Sequence, residues 1–211
     1  MSNIAIIISL TIGIFGSLFL FWRELKEDYD NNQIFSFGLL VSISVIVGFL
    51  VGLILKTKVQ GSNIFSSTGL WFWTSFIAGV IGWTIAYFKF KLKFFETLEA
   101  SAVGFIFFIF VTNLINSLQP VNIKAILFAL FSGLLVLIFY MLDSRYKRFS
   151  WYKSGRVGFS GLAILGIFFL IRAVVAMVDP SMVSFVGKTD AIVDSVVSFI
   201  FFLTLYNLSG I

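Results

Sequence analysis

Residues 157–178 read VGFSGLAILGIFFLIRAVVAMV, a run in which Arg172 is the single charged residue. As a helix rising 1.5 Å per residue, such a run reaches across the ~30 Å hydrocarbon core of a bilayer. Backbone N–H and C=O groups in lipid find no water, so a spanning stretch of this composition must satisfy them internally as a helix. The stretch therefore predicts a transmembrane helix with a guanidinium inside it. That arginine costs about 2.5–3.5 kcal/mol or more unless it faces protein, water or a partner.

Working outward, six further runs have the same character. Together the seven lie at about 3–22, 34–55, 69–88, 98–118, 124–142, 157–178 and 190–208. The composition agrees: 59% of the 211 residues are hydrophobic and 12% charged, which does not describe a soluble surface. No linker or low-complexity tract interrupts the pattern. The expected fold is an all-α integral membrane protein with seven transmembrane helices, forming one polytopic domain over residues 1–211. No Lys or Arg precedes the first run and no small-residue cleavage site follows it, so it is expected to stay in the mature protein.

Lysine and arginine set the expected orientation, because cytoplasmic loops carry their excess. Ten lie in the loops after runs one, three and five, from Arg23 to Arg156, against four after runs two, four and six: Lys56, Lys58, Lys124 and Lys188. The N-terminus is thus expected outside and the C-terminus in the cytoplasm. The net charge of +5 is spent in these short loops rather than on a soluble basic face, so no nucleic-acid partner is expected. Histidine and cysteine are both absent. Imidazole acid–base chemistry, thiol nucleophiles, disulfides and His/Cys metal sites are thereby excluded, and neither a metal nor a cofactor is expected.

The polar residues inside the runs are the candidate site. Gly158, Gly161, Leu165, Ala176 and Asp179 share the helical face of Arg172, a stripe that reads as a packing surface and turns Arg172 into the bundle. In run four, Glu99, Ala102, Ile106, Ile109, Asn113 and Asn116 fall on one face. The two asparagines either bond a neighbouring helix or belong to a site. Run seven begins DAIVDSVV, placing Asp190 and Asp194 one turn apart, and Asp194 is a candidate partner for Arg172. The alternative for both carboxylates is a solvated helix N-terminus. The spacing Gly48-x-x-x-Gly52 fits close helix packing. KFKLKFF, residues 89–95, reads as an anchor whose lysines snorkel to the surface. Trp71 and Trp73, in GLWFWTS at 69–75, read as interface anchors.

The order of these features resembles the bacterial prolipoprotein diacylglyceryl transferase family. The family's "GLSFHGG", a helix, a basic inner turn and "LLD…AP" are similar to GLWFWTS, FIAGVIGWTIAYF, KFKLKFF and ETLEAS. Its later "LLLWLLSRRKR…GRLFGLFLLLYGLARF" is similar to the stretch from Leu127 to Ala173, with Gly155, Arg156 and Arg172 on its Gly, Arg and Arg. The signature "GRxGNFxNGE" falls on IFVTNLINSL, where Asn113 and Asn116 match. The resemblance implies a seven-helix plasma-membrane protein of the bacterial inner membrane. The family reaction moves a diacylglyceryl group from phosphatidylglycerol to a lipobox cysteine, so the implied partners are a phosphatidylglycerol-like phospholipid and a lipoprotein precursor. It places Arg172, Asn113 and Asn116 in a lipid- or substrate-binding set, to which the residue pattern adds Asp194 as the candidate partner of Arg172.

The departures run in one direction. The signature arginine position is Phe110 and its glutamate position Leu118; the "GARLGY" arginine is Leu50; the "SFHGG" histidine is Trp73, followed by Thr74 and Ser75. "HPSQLYE" becomes NIKAILF, and the insertion between helices four and five shrinks to LQPV. Phosphate recognition needs guanidinium groups and proton transfer needs a titratable one; Phe110, Leu50, Trp73 and Leu118 offer neither. The expected function is a divergent or catalytically impaired transferase-like protein. The alternatives are a non-catalytic lipid- or lipoprotein-binding membrane protein and a small channel or permease.

Overall fold

The computed structural model describes residues 3–59, 69–118, 122–149, 152, 157–183 and 188–210. Each of the seven apolar runs is a helix: α1 (Asn3–Leu25), α2 (Asn31–Val59), α3 (Leu70–Phe90), α4 (Phe94–Ser117), α5 (Ile123–Asp143), α6 (Phe159–Val178) and, after the single turn α7 (Pro180–Val183), α8 (Thr189–Ser209). All seven long helices are long and apolar enough to cross a membrane. A 3₁₀ turn at Tyr146–Arg148 follows α5.

Several helices outrun the apolar stretches that announced them. α1 continues to Leu25, α2 starts at Asn31 and α4 starts at Phe94. Apolarity marks the part that must avoid water, whereas helical hydrogen bonding continues into the polar ends wherever a side chain finds packing. Leu25 does so, buried with Phe21, Ile34, Phe37 and Leu92. The KFKLKFF turn then alternates: Lys89, Lys91 and Lys93 are exposed while Leu92 joins that cluster.

Tyr29 ties the α1–α2 loop to this turn, donating its hydroxyl to Glu96 Oε2 at 2.6 Å and accepting the Lys93 N–H at 3.0 Å. Burial, and then the bond to Glu96, push the Tyr29 phenol above its ordinary range, so it remains a proton donor at neutral pH. Trp83 Nε1 donates to Thr97 Oγ1 at 3.3 Å beside it. These residues define one end of the bundle, the Tyr29 end.

α4 lies at the centre, packed against α1, α5 and α6; α2 and α3 form a pair beside α1, and α8 packs on α6. Burial separates two interior helices from the rest. In α6 and α4, 61% and 56% of the spanning window is buried, against 28–39% in the other five. The face from Glu99 to Ile109 on α4 and the Gly161–Leu165–Arg172–Ala176 stripe on α6 are the buried faces that helical spacing selected.

Lipid tails are as apolar as leucine, so helices associate here through close van der Waals contact rather than hydrophobic exclusion of water. The α2–α3 pair illustrates it. Gly48 lies against the Thr74 carbonyl and Ala78, and Gly52 against Trp71. The Gly-x-x-x-Gly spacing is therefore a packing seam. A Gly48→Val side chain would overlap the Thr74 carbonyl oxygen, which belongs to a helix backbone and cannot rotate aside. Overpacking of this kind costs about 1–3 kcal/mol or more. Gly48→Val should lower unfolding stability in detergent by that amount, while Ile43→Val, on the 54% exposed outer face of the same helix, should change it little.

Candidate functional site

At the other end of the bundle, α3, α6 and α8 meet at Arg172. It is only 2% exposed, and it sits on α6 because the small residues around it let the neighbouring helices close in. Its Nε donates to Asp194 Oδ1 at 3.0 Å, with Asp194 Oδ2 also at 3.0 Å. Its Nη2 is 3.7 Å from Asp190 Oδ2. Asp190 and Asp194 thus present one face of α8 to it, both buried.

The third helix contributes aromatic faces. The Arg172 guanidinium carbon stands 3.7 Å from the centroid of Phe72 and 5.3 Å from that of Trp73. A desolvated cation over such a face gains about 2 kcal/mol. Phe72 in turn packs on Phe76, Phe105, Phe168 and Phe169, so the ring that meets the cation also stitches α3 to α4 and α6. The two tryptophans of GLWFWTS make separate contacts. Trp71 packs edge-on against Phe49 of α2, with ring centroids 5.5 Å apart, and Trp73 turns the opposite way, towards Phe169 and Arg172.

One guanidinium faces two carboxylates, so the formal charge of the centre is −1 with all three ionised. Arg172 Nη2 and Asp194 Oδ2 remain without a hydrogen bond among the described residues, although each takes part in an ion pair. A second pair, Lys124–Asp179, joins the start of α5 to the end of α6 near this end. Asn122 caps α5 there, its side chain accepting the N–H groups of Lys124 and Ala125.

The two asparagines form no hydrogen bond with this centre among the described residues. Asn113 is half-buried and donates from Nδ2 to Ile109 O at 2.9 Å, one turn back along its own helix, rather than to a neighbouring helix. Asn116 is half-buried one turn further on. The other positions of the family pattern are scattered as well. Phe110 packs on Gly133 of α5, Leu50 is 39% exposed and Leu118 is 62% exposed; Trp73 is the one that reaches Arg172. Gly155 and Arg156 lie outside the described residues.

A second buried charge was on the α4 face but its role was not visible there. Glu99 Oε1 accepts the N–H of Ser160 at 2.8 Å and of Gly161 at 3.2 Å, so a carboxylate from α4 caps the N-terminus of α6. α6 supplies no cap of its own: the cap position is Gly158, at φ 116°, where a side chain would be strained. A helix start with no capping side chain was the available signal. Tyr146 closes the site from below, stacked on Phe159, and burial, followed by the nearby Glu99 charge, pushes its phenol up to about 12.

No family model, curated protein or solved structure matches this chain.

Proposed function

We propose that the protein is a multi-pass protein of the bacterial inner membrane, built on a prolipoprotein diacylglyceryl transferase-like layout, that does not carry out the transfer reaction. In this reading it engages lipid or a lipoprotein segment through apolar contact, with its N-terminus outside and its C-terminus in the cytoplasm. The observation that carries the reading is the state of Arg172. It is the one arginine within the spans at a family position, and it is buried, bonded to Asp194 and flanked by Asp190. A phosphate entering there would meet two carboxylates with one guanidinium to offset them, and would have to displace a charge-assisted hydrogen bond. Phe110, Leu118, Leu50 and Trp73, at signature positions of the family, offer no group able to take a proton from a lipobox thiol or return one. The ten-to-four distribution of basic residues supports the orientation.

The test is direct. Purified protein in phosphatidylglycerol vesicles, given a lipobox peptide, is expected to yield no diacylglyceryl peptide under conditions where an ordinary transferase does. Its retained lipid, counted by native mass spectrometry, is expected to show no preference for phosphatidylglycerol over phosphatidylcholine. A diacylglyceryl product that disappears in Arg172→Leu would reverse the conclusion.

A further inference from the structure

Hydroxyl side chains in this bundle follow a rule with informative exceptions. A serine or threonine in a membrane helix ordinarily donates to the carbonyl one turn back, because no water is there to receive it. Ser9, Ser44, Ser132 and Ser195 do so, with bonds of 2.7–2.9 Å to Ala5, Leu40, Phe128 and Ala191. Ser42 on α2 and Ser101 on α4 do not. Both oxygens are shielded from solvent and neither has a partner among the described residues, and Ser42 as a whole is 7% exposed. Thr112 and Ser160 also carry an unpartnered oxygen, but Ser42 and Ser101 are the two that line one recess.

The recess lies between α1, α2 and α4, and Gly13, Ser17 and Gly104 also line it. It is distinct from the Arg172 centre. Ser17 is already satisfied, donating to Gly104 O at 3.1 Å. The rings of Phe21, Phe105 and Phe108 also line the recess. Ser101 is seven residues from the start of α4, about 10 Å along the axis, which sets the recess within the hydrocarbon rather than at its edge.

Two buried hydroxyls that forgo the backbone bond available to their neighbours each leave a donor unused, at a depth where that is costly. No charged side chain lines the recess, which disfavours an ion. We infer that this recess binds an uncharged oxygen, either a water molecule or an ester carbonyl of a lipid, held by the Ser42 and Ser101 hydroxyls. The inference stands independently of the transferase-like reading.

The chain has no cysteine, so a single introduced thiol reports on its own surroundings. A thiol reacts as its thiolate, which forms in the presence of water and not in dry hydrocarbon. In lipid vesicles, Ser42→Cys and Ser101→Cys are to be treated with methyl methanethiosulfonate beside Ile43→Cys, whose parent side chain is on the lipid-facing surface. Bound water predicts modification of the two recess thiols at least ~10-fold faster than that of Ile43→Cys. A lipid ester predicts rates like that of Ile43→Cys, together with the loss of one retained phospholipid per chain in Ser42→Ala/Ser101→Ala, counted by native mass spectrometry. Slow modification of both thiols with an unchanged lipid count would overturn the inference.

Discussion

Asp194→Ala is expected to destabilise the bundle by about 3–5 kcal/mol, the cost of leaving a buried charge without its hydrogen-bonded partner. Asp194 is fully buried and accepts the one hydrogen bond of the Arg172 Nε. In the variant, Asp190 remains 3.7 Å from Nη2, too far for a hydrogen bond, and Phe72 offers a face rather than an acceptor. The unfolded chain does not share the penalty, since Arg172 can then snorkel towards water. Replacing all three members, Arg172→Met with Asp194→Leu and Asp190→Asn, leaves no buried charge behind and should recover most of the loss, because apolar or neutral residues of similar volume commonly substitute for a buried ionic group at little cost. Asp190→Ala should cost less than Asp194→Ala. Equilibrium unfolding of the parent and these three variants in one detergent gives the comparison. If Asp194→Ala proved as stable as the parent, Arg172 would not be locked by this pair, and the argument against headgroup binding would go with it.

The second large effect lies at the opposite end. Glu99→Ala removes the acceptor of two N–H groups at the start of α6, in a site closed to water by Phe95, Tyr146 and Phe159. Each orphaned donor costs about 1–3 kcal/mol, so a loss of roughly 2–6 kcal/mol is expected. Glu99→Gln keeps a carbonyl oxygen that can accept both bonds and should recover more than half of it. The local readout is hydrogen exchange: the Ser160 and Gly161 amides should lose protection in Glu99→Ala before the rest of α6 does. Unchanged exchange at those two amides would show that the carboxylate is not the cap.

Both sites bear on what could be read without coordinates. Arg172 was conspicuous because a charge inside VGFSGLAILGIFFLIRAVVAMV is expensive, and the small residues at its spacing fixed which way it points. Asp194 was a candidate for the same reason, one turn from Asp190 at a helix start. Phe72 carried no such signal. It is one of 28 phenylalanines, and nothing in GLWFWTS distinguishes the ring that meets a guanidinium from the tryptophan on either side of it. Glu99 fell on the correct buried face of α4, yet its partner is the backbone of another helix, which has no sequence signature beyond a missing cap. Asn113 illustrates the converse. Its residue type matched a family signature, but its amide is satisfied one turn back along its own helix.

The sequence by itself determined the seven helices and, for α4 and α6, the faces they bury, because both follow from rules local to one segment. A run of apolar residues in lipid must close its own hydrogen bonds, and a 3.6-residue period assigns each side chain a direction. Only the tertiary structure decided which helices are interior, which ring covers Arg172, which carboxylate caps α6 and which serines share a recess. Those outcomes depend on distances between segments far apart in the chain. In a bilayer, where one apolar face attracts another no more than it attracts lipid, those distances are set by how closely small residues let two backbones approach and by which buried polar groups can be satisfied together.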